Sequence, residues 1–330
     1  MQSAESVLDR YAATSEHAPL VSFSLGELPL FQTWSINLRR LLTTQRVLVV
    51  VSDQRLVCSW RSQLGWVWKS ATWPEGCCRY GRPLQSEAMG ELLADLLLDA
   101  DLTGAQIELV LPLQGCAWRV LDGNDVPQLA MSDGSLAWLD ELNWPLEASN
   151  SYVTLADCAA DVMAIGVPRV LMQAWIDVVE MADQPLRRVD WTLSSALRGL
   201  LLQLDDWLGD LAWIVPAQDG LRLMLIRDGV PEVDHPIQFD EPVAMRQELR
   251  RVVSAWQALT SSSPGLGWWL SLPEHMVDMV SPMIDMDRDE QRLDLSLQEL
   301  IVPSPETLQD EELTPLEQLA LIGMLEDVYP

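Results

Sequence analysis

The chain has 330 residues, 48% hydrophobic and 21% charged. That is about two domains' worth of chain with apolar mass enough for a core, which excludes a disordered tail. Its 49 Asp plus Glu against 21 Lys plus Arg give a net charge of −28, with Lys69 the one lysine; such a surface repels phosphate backbones and anionic lipid heads, arguing against nucleic-acid binding and direct membrane docking and suiting a basic protein partner.

The first residues, Met1 to Arg10, are polar and carry acids, unlike a secretory signal, and no apolar run nears the roughly 18 residues of a spanning helix. A cytosolic protein is expected. Residues 1–44 form an N-terminal extension in which Phe31, Trp34, Leu38, Leu41 and Leu42 follow helical spacing. Arg46 to Ser52 is β-branched and predicts a strand. A turn at Ser52-Asp53-Gln54 leads to Leu56–Trp60, and a second turn leads to Trp66–Trp73, an antiparallel meander. Leu84 to Ala100 predicts a helix, with Leu84, Ala88, Leu92 and Leu96 recurring every four residues and Gly104 beyond its end. Gln106–Leu111 is an apolar strand closed by Pro112.

The stretch 113–166 is less regular. Trp118–Leu121 predicts a strand, Ser135–Trp144 a short helix, and Tyr152–Ala156 with Asp161–Val167 a strand pair. Pro168 to Ala182 carries one continuous apolar stripe and starts with a proline at its first turn, where a missing N–H costs nothing. Leu186–Trp191 predicts a strand and Ser194–Leu208 a helix. The opening pattern then returns: strands at Leu211–Val215, Leu221–Arg227 and Val230–Gln238, a helix at Pro242–Leu259 and a strand at Leu266–Leu272. Pro273 to Leu300 mixes a short helix and a strand, Pro303–Glu312 is an acidic loop, and Thr314 caps a last helix, Pro315–Val328.

The common catalytic patterns, G-x-S-x-G, G-x-x-x-x-G-K-[ST], H-E-x-x-H and G-x-G-x-x-G, are missing from the sequence. The five cysteines include no C-x-x-C and are expected as free thiols, and His17, His235 and His275 are far apart.

A twice-used β-β-β-α-β order with an insert in the first copy resembles the actin-like ATPases: an α/β, actin-like (FtsA/PilM-like) fold of duplicated RNase H-like halves. Within them the chain is similar to the PilM family of type IV pilus assembly proteins, with the cytosolic domain of the type II secretion protein GspL a near second. The resemblance covers roughly residues 45–325. It is carried by Trp73-Pro74-Glu75-Gly76 and Gly81 before the first long helix, by Ile107–Pro112 ahead of the insert, by Pro168–Trp191 with its strand ending at Asp190, by the Arg227-Asp228-Gly229 turn, and by the closing helix with Gly323. It implies an extension at 1–44, a first half at 45–195 with an inserted subdomain at about 113–166, and a second half at 196–330.

The resemblance also implies a nucleotide site between the halves, in which each first hairpin supplies a D-x-G type turn. Its remnants would be Ser52, Asp53 and Gln54 in one half and Gln218, Asp219 and Gly220 in the other. The first turn lacks the glycine, and Pro216, with neither N–H nor charge, stands about where a metal-directing aspartate belongs. Trp268-Trp269 replaces a glycine pair and is expected to fill the base pocket. A pseudo-ATPase follows as the expectation, without catalytic residues or resident metal. The alternative is an active ATPase using ATP and magnesium, with Asp53 and Asp219 facing each other across the cleft. The implied partner is the short cytosolic tail of a PilN-like membrane protein, held in a groove beside the insert with Trp118, Trp138 and Trp144 as candidate walls; a pilus assembly ATPase and self-association are further partners. Ser35-Ile36-Asn37-Leu38-Arg39-Arg40 resembles such a tail and could dock in the chain's own groove or a neighbour's, against the plainer reading of an amphipathic helix packed on the body. The protein would then lie in the cytoplasm, peripheral to the inner membrane, serving twitching motility, secretion or competence.

Overall fold

The computed structural model describes residues 45–325 apart from 64, 125, 127–138, 140–143, 159–160, 205–206, 208, 218, 239–240, 260–264, 285–289, 294–300, 306 and 308–310. The expected N-terminal extension, the Ser35–Arg40 motif and most of the helix expected over Ser135–Trp144 lie outside the described residues, as do Trp138 and Gln218.

Three strands open the fold: β1 (Arg46–Val51), β2 (Arg55–Ser62) and β3 (Gly65–Thr72), joined as an antiparallel meander. A two-residue-per-strand hairpin, β4 (Cys78–Arg79) and β5 (Arg82–Pro83), then precedes α1 (Ser86–Asp99) and β6 (Gln106–Leu111). The insert supplies β7 (Ala117–Leu121), β8 (Ser151–Cys158) and β9 (Asp161–Pro168), a separate sheet in the order β7-β9-β8. Helix α2 (Arg169–Met181) and strand β10 (Leu186–Trp191) return the chain to the first sheet, and α3 (Thr192–Gln203) leaves it. The pattern then repeats as β11 (Asp210–Ala217), β12 (Gly220–Arg227), β13 (Val230–Gln238), α4 (Pro242–Gln257), β14 (Leu266–Leu270), α5 (Glu274–Val280) and β15 (Glu290–Arg292). Strand β16 (Ile301–Pro303) and helix α6 (Pro315–Leu325) complete it.

The two large sheets have the same plan. From the third strand inward they run β3-β2-β1-β6-β10 and β13-β12-β11-β14-β15. In each, the first three strands alternate in direction and the last two run parallel to the first. The short strand β16 adds to the first sheet beside β3, in parallel. The sequence assigns no element to Ile301 and Val302 and places Pro303 in a loop, because three residues ending in proline carry no period to detect.

Packing follows from alternation along the strands. Leu211, Trp213 and Val215 of β11 face one core while Ala212 and Ile214 face another. The centre of the second sheet, β11, β12 and β14, is therefore buried on both faces, which is why these strands are nearly continuous apolar runs, while the edge strands β13 and β15 carry polar residues. Helices α4 and α5 cover one face through Met245, Leu249, Val253, Trp256 and Val280. The other face shares its core with the first sheet and with α3 and α6, through Leu193, Leu197, Leu200, Leu319 and Met324. These two helices pack backbone to backbone. A Cβ on Gly199 would lie 2.1 Å from the Leu319 carbonyl oxygen, and one on Gly323 would lie 1.9 Å from that of Ser195. Helix α3 begins two residues earlier than expected: Thr192 Oγ1 donates to the Leu111 carbonyl, and the Ser194 hydroxyl is held by Asp190 and Trp191.

Candidate functional site

The turn between β1 and β2 forms one wall of a cavity of about 820 Å³. Ser52, Asp53, Gln54 and Arg55 line it from that turn; Pro216 and Ala217 enter from the end of β11, Ser271 and Pro273 follow β14, Thr192 starts α3, and Gln114 follows β6. Glu311, Glu312, Thr314 and Glu317, from the lead-in and first turn of α6, close a further side. The crevice expected to be plugged is thus open. Trp268 and Trp269 do not fill it: they are buried strand residues of β14, one on each face of the second sheet. The indoles of Trp269 and Trp213 both donate to Ser271 Oγ, at 2.9 and 2.8 Å, and so fix that lining hydroxyl.

The first turn is closed by its own serine. Ser52 Oγ accepts the backbone N–H groups of Gln54 and Arg55 at 3.3 and 3.2 Å and donates to the Arg55 carbonyl, while the Ser52 N–H bonds that same carbonyl. This is a side-chain-closed turn of the kind serine favours. Amides that could cradle a phosphate are spent inside the hairpin. Asp53 is committed as well. Its carboxylate accepts the Tyr80 and Gly81 N–H groups at 3.0 and 2.6 Å, capping the β4–β5 turn. Both turn residues have positive φ, 54° and 73°, the geometry of a tight hairpin. Gly81 is needed there, since a Cβ would lie 2.8 Å from the Gln114 carbonyl oxygen.

Ser52, Asp53 and Gln54 therefore lie together on the cavity wall. In the second hairpin Ala217 pairs with Gly220 across the turn, Asp219 is exposed, and neither Asp219 nor Gly220 lines the cavity. The expectation that Asp53 and Asp219 face each other across a metal is not met in this geometry. Among the described residues no group of three or more His, Cys, Asp or Glu side chains comes together as a metal site.

Sequence reasoning missed the C-terminal wall. Arg55 forms a two-point contact with Glu317, Nε to Oε1 at 3.1 Å and Nη2 to Oε2 at 2.5 Å, and also donates to the Glu312 carbonyl at 2.8 Å. Glu317 in turn accepts the Thr314 N–H, and the Thr314 hydroxyl accepts the Glu317 N–H, a capping box at Thr314-Pro315-Leu316-Glu317. The box was legible as sequence, but its place beside Arg55, 262 positions earlier, was not. Among the described lining residues, Asp53, Glu311, Glu312 and Glu317 thus face one cation, Arg55, which already has its carboxylate. A magnesium triphosphate needs free amides and a free carboxylate for its metal. In the first hairpin the Gln54 and Arg55 amides, the Asp53 carboxylate and the Arg55 guanidinium already have internal partners.

Asp190 is the penultimate residue of β10 and does not line the cavity. Burial pulls its pKa up, but Arg198 at 2.6 Å, Ser194, the Trp191 N–H and Arg188 outweigh this and hold it below the ordinary carboxylate value. All five cysteines are free thiols. Burial pushes the thiols of Cys78 and Cys116 up to about 12, so both stay protonated and poorly nucleophilic at neutral pH.

The tryptophans expected as groove walls are placed inside. Trp118 is buried edge-on to Trp191, with ring centroids 5.4 Å apart, and donates to Asp234 of β13. Trp144 belongs to the small core of the insert, over Gly166. Neither offers an exposed face. Tryptophan suits cores and interfaces equally, so residue type alone could not separate the two. No helix among the described residues is long and apolar enough to cross a membrane.

No protein-family model matches the sequence, and no curated protein does. Solved structures do match. The chain is similar to one titled "PilM-PilN type IV pilus biogenesis complex", with a TM-score of 0.60 and 14% identity over 86% of this chain and 99% of that one. The cytoplasmic domain of EpsL, an inner-membrane component of the type II secretion system of Vibrio cholerae, aligns at a TM-score of 0.44 with 11% identity over 86% of this chain and 95% of that one. A Bacteroides thetaiotaomicron protein of actin-like ATPase fold and unknown function aligns at 0.44 with 8% identity, over 90% of this chain and 99% of that one. The repeated sheet plan and the first of these matches establish the fold: this is a protein of the actin-like ATPase fold, with duplicated halves and an insert in the first. At 14% identity the similarity to the PilM–PilN complex is one of architecture.

Proposed function

We propose that this protein is a scaffold of a type IV pilus or related secretion or DNA-uptake platform, and that it keeps the actin-like fold without nucleotide turnover. The observation that carries the second part is the β1–β2 turn: Ser52 Oγ occupies the amides of Gln54 and Arg55 where a phosphate-binding hairpin would present them. The acidic lining supports it, since Asp53, Glu311, Glu312 and Glu317 repel a polyphosphate and Arg55 is neutralised by Glu317. The first part is supported by similarity along almost the whole length of a structure solved as a PilM–PilN complex. On this reading the protein lies at the cytoplasmic face of the inner membrane, held there by the tail of a PilN-like membrane protein.

Calorimetry with magnesium-ATP tests the cleft. A saturating ligand at a hundred times its Kd would stabilise the fold by about 2.7 kcal/mol. The expected result is no heat of binding and no shift in unfolding temperature. Titration with a synthetic PilN-type tail tests the partner, and no binding at high micromolar concentration would sink that part. The second reading, an ATP-binding actin-like ATPase of the same machinery, is favoured by the open cavity of about 820 Å³. Micromolar ATP binding lost in Asp53→Ala would establish it.

A further inference from the structure

We propose that the N-terminal end of α2, the β4–β5 hairpin and the edge of β8 form a docking surface for a short acidic segment of a partner protein. The proposal rests on the surface itself and not on the pilus reading.

Two arginine–tyrosine stacks mark the surface. The Arg79 guanidinium lies 4.8 Å above the Tyr80 ring, and that of Arg169 lies 4.8 Å above the Tyr152 ring. Both rings are out in solvent, Tyr80 at 51% and Tyr152 at 48% exposure. Exposed aliphatic side chains accompany them, Leu84 at 56% and Val170 at 62%. The two stacks flank one stretch of helix. The Gly81 carbonyl, in the hairpin turn, accepts the Trp175 indole N–H of α2 at 2.9 Å, while Tyr152 covers Arg169 at the first position of α2. Six residues at 1.5 Å each put those two attachment points roughly 9 Å apart along the axis.

Charge then selects the occupant. In a chain with 49 acids an arginine finds a carboxylate easily, and Arg55, Arg187, Arg198, Arg222, Arg227 and Arg250 each bond one. Among the described residues Arg79, Arg82 and Arg169, all exposed, bond none. Arg79 Nη2 donates to the Tyr80 hydroxyl at 3.1 Å, which fixes the stack; the remaining N–H groups of a guanidinium held against a ring are oriented to take a carboxylate. The protein's net charge of −28 opposes an acidic ligand at a distance. At physiological salt, however, screening acts over about 8 Å, so the local arginines decide. Strand β8 supplies the rest. Among the described residues it is the outer strand of the insert sheet and pairs with β9 alone, so its other edge offers main-chain groups to an extended segment. The ligand is therefore an extended peptide with carboxylates spaced around an aliphatic residue.

The test uses the full chain and two fluorescein-labelled peptides, one alternating Glu with Leu or Ile and one with Lys in place of every Glu. The acidic peptide is expected to bind at least about tenfold more tightly at physiological salt, and the double variant Arg79→Glu/Arg169→Glu to lose at least about tenfold. Tyr152→Ala should weaken binding severalfold. The milder Arg79→Gln/Arg169→Gln pair, checked by circular dichroism, guards against misfolding and should lose affinity in the same direction. Equal affinity for the two peptides, preference for the lysine peptide, or unchanged binding in the arginine variants overturns the proposal. So does sedimentation showing a dimer that the arginine variants dissociate without any peptide binding, because the surface would then serve a second copy of the chain.

Discussion

The two large sheets of this protein share one strand order and have come to different uses. In the first, the β1–β2 hairpin turns on a serine that closes its own amides, and the neighbouring aspartate props a second, smaller hairpin. In the second, the β11–β12 hairpin reaches the same cavity with Pro216 and Ala217, which bring no side-chain charge. The strands beside them diverge too. Beyond β6, the Leu113 carbonyl accepts one indole, that of Trp191, whereas beyond β14 a single hydroxyl, Ser271, accepts two. A duplicated topology thus preserves the position of a cleft while each copy fills its donors and acceptors with internal partners. What survives duplication is backbone register; what drifts is the polar group at the end of each strand.

The comparison breaks most completely where the sheets share a core. Gly199→Ala or Gly323→Ala places a Cβ against a main-chain oxygen of the facing helix, and backbone cannot swing aside as a side chain can. A loss of roughly 3 kcal/mol or more is expected, read from urea unfolding. Two-state unfolding splitting into two transitions would show that the sheets are stabilised separately. Next in size is Ser271→Ala, which orphans the indole N–H groups of Trp213 and Trp269 together. Two buried donors without partners should cost roughly 2–4 kcal/mol, while Trp191, bonded to a carbonyl in the first sheet, is untouched. Smaller again is Glu317→Gln, expected to cost roughly 1–2 kcal/mol by weakening both the capping box and the Arg55 contact. A double-mutant cycle with Arg55→Gln separates the two: coupling near zero would reduce the Arg55 contact to a bystander.

The strands of both sheets were legible because burial on both faces leaves runs such as Val47–Val51 and Leu223–Ile226 without polar interruption. The long helices were legible from their stripes. Hidden were features whose cause lies far away in sequence. Strand β16 exists because β3 offers an open edge, and the β4–β5 hairpin exists because Asp53 and Trp175 hold its turn from both sides. Of the site, the Ser52–Gln54 turn was found, but the acids of the α6 lead-in were not, since nothing local relates them to Arg55. Trp118 and Trp144 misled for another reason: the same residue serves a hot spot or a core, and only the fold decides.

The smallest expected effect concerns the first sheet's last strand and sharpens how it is tied to α3. Asp190 is held below the ordinary carboxylate pKa: burial acts against ionisation, but Arg198, Ser194, the Trp191 N–H and Arg188 more than offset it. A depressed pKa in the folded state means that folding favours the ionised form. Its contribution is therefore complete above the unfolded value, about 3.9, and is lost as pH falls through the lower folded value. Stability measured by denaturant titration should be insensitive to this group at neutral pH and should fall with acid below about pH 4. Asp190→Asn should flatten that part of the profile while leaving Arg198 its bond to the Gly323 carbonyl of α6. The counterpart in the second sheet, Glu290 on β15, bonds Arg250 and Trp268 instead and gives no tie to α3 or α6. If Asp190→Asn leaves the acid arm unchanged, the network at the end of β10 is positional only, and the first sheet is anchored to the shared helices by apolar packing and by its other polar ties, Thr192 to Leu111 and Arg55 to Glu317.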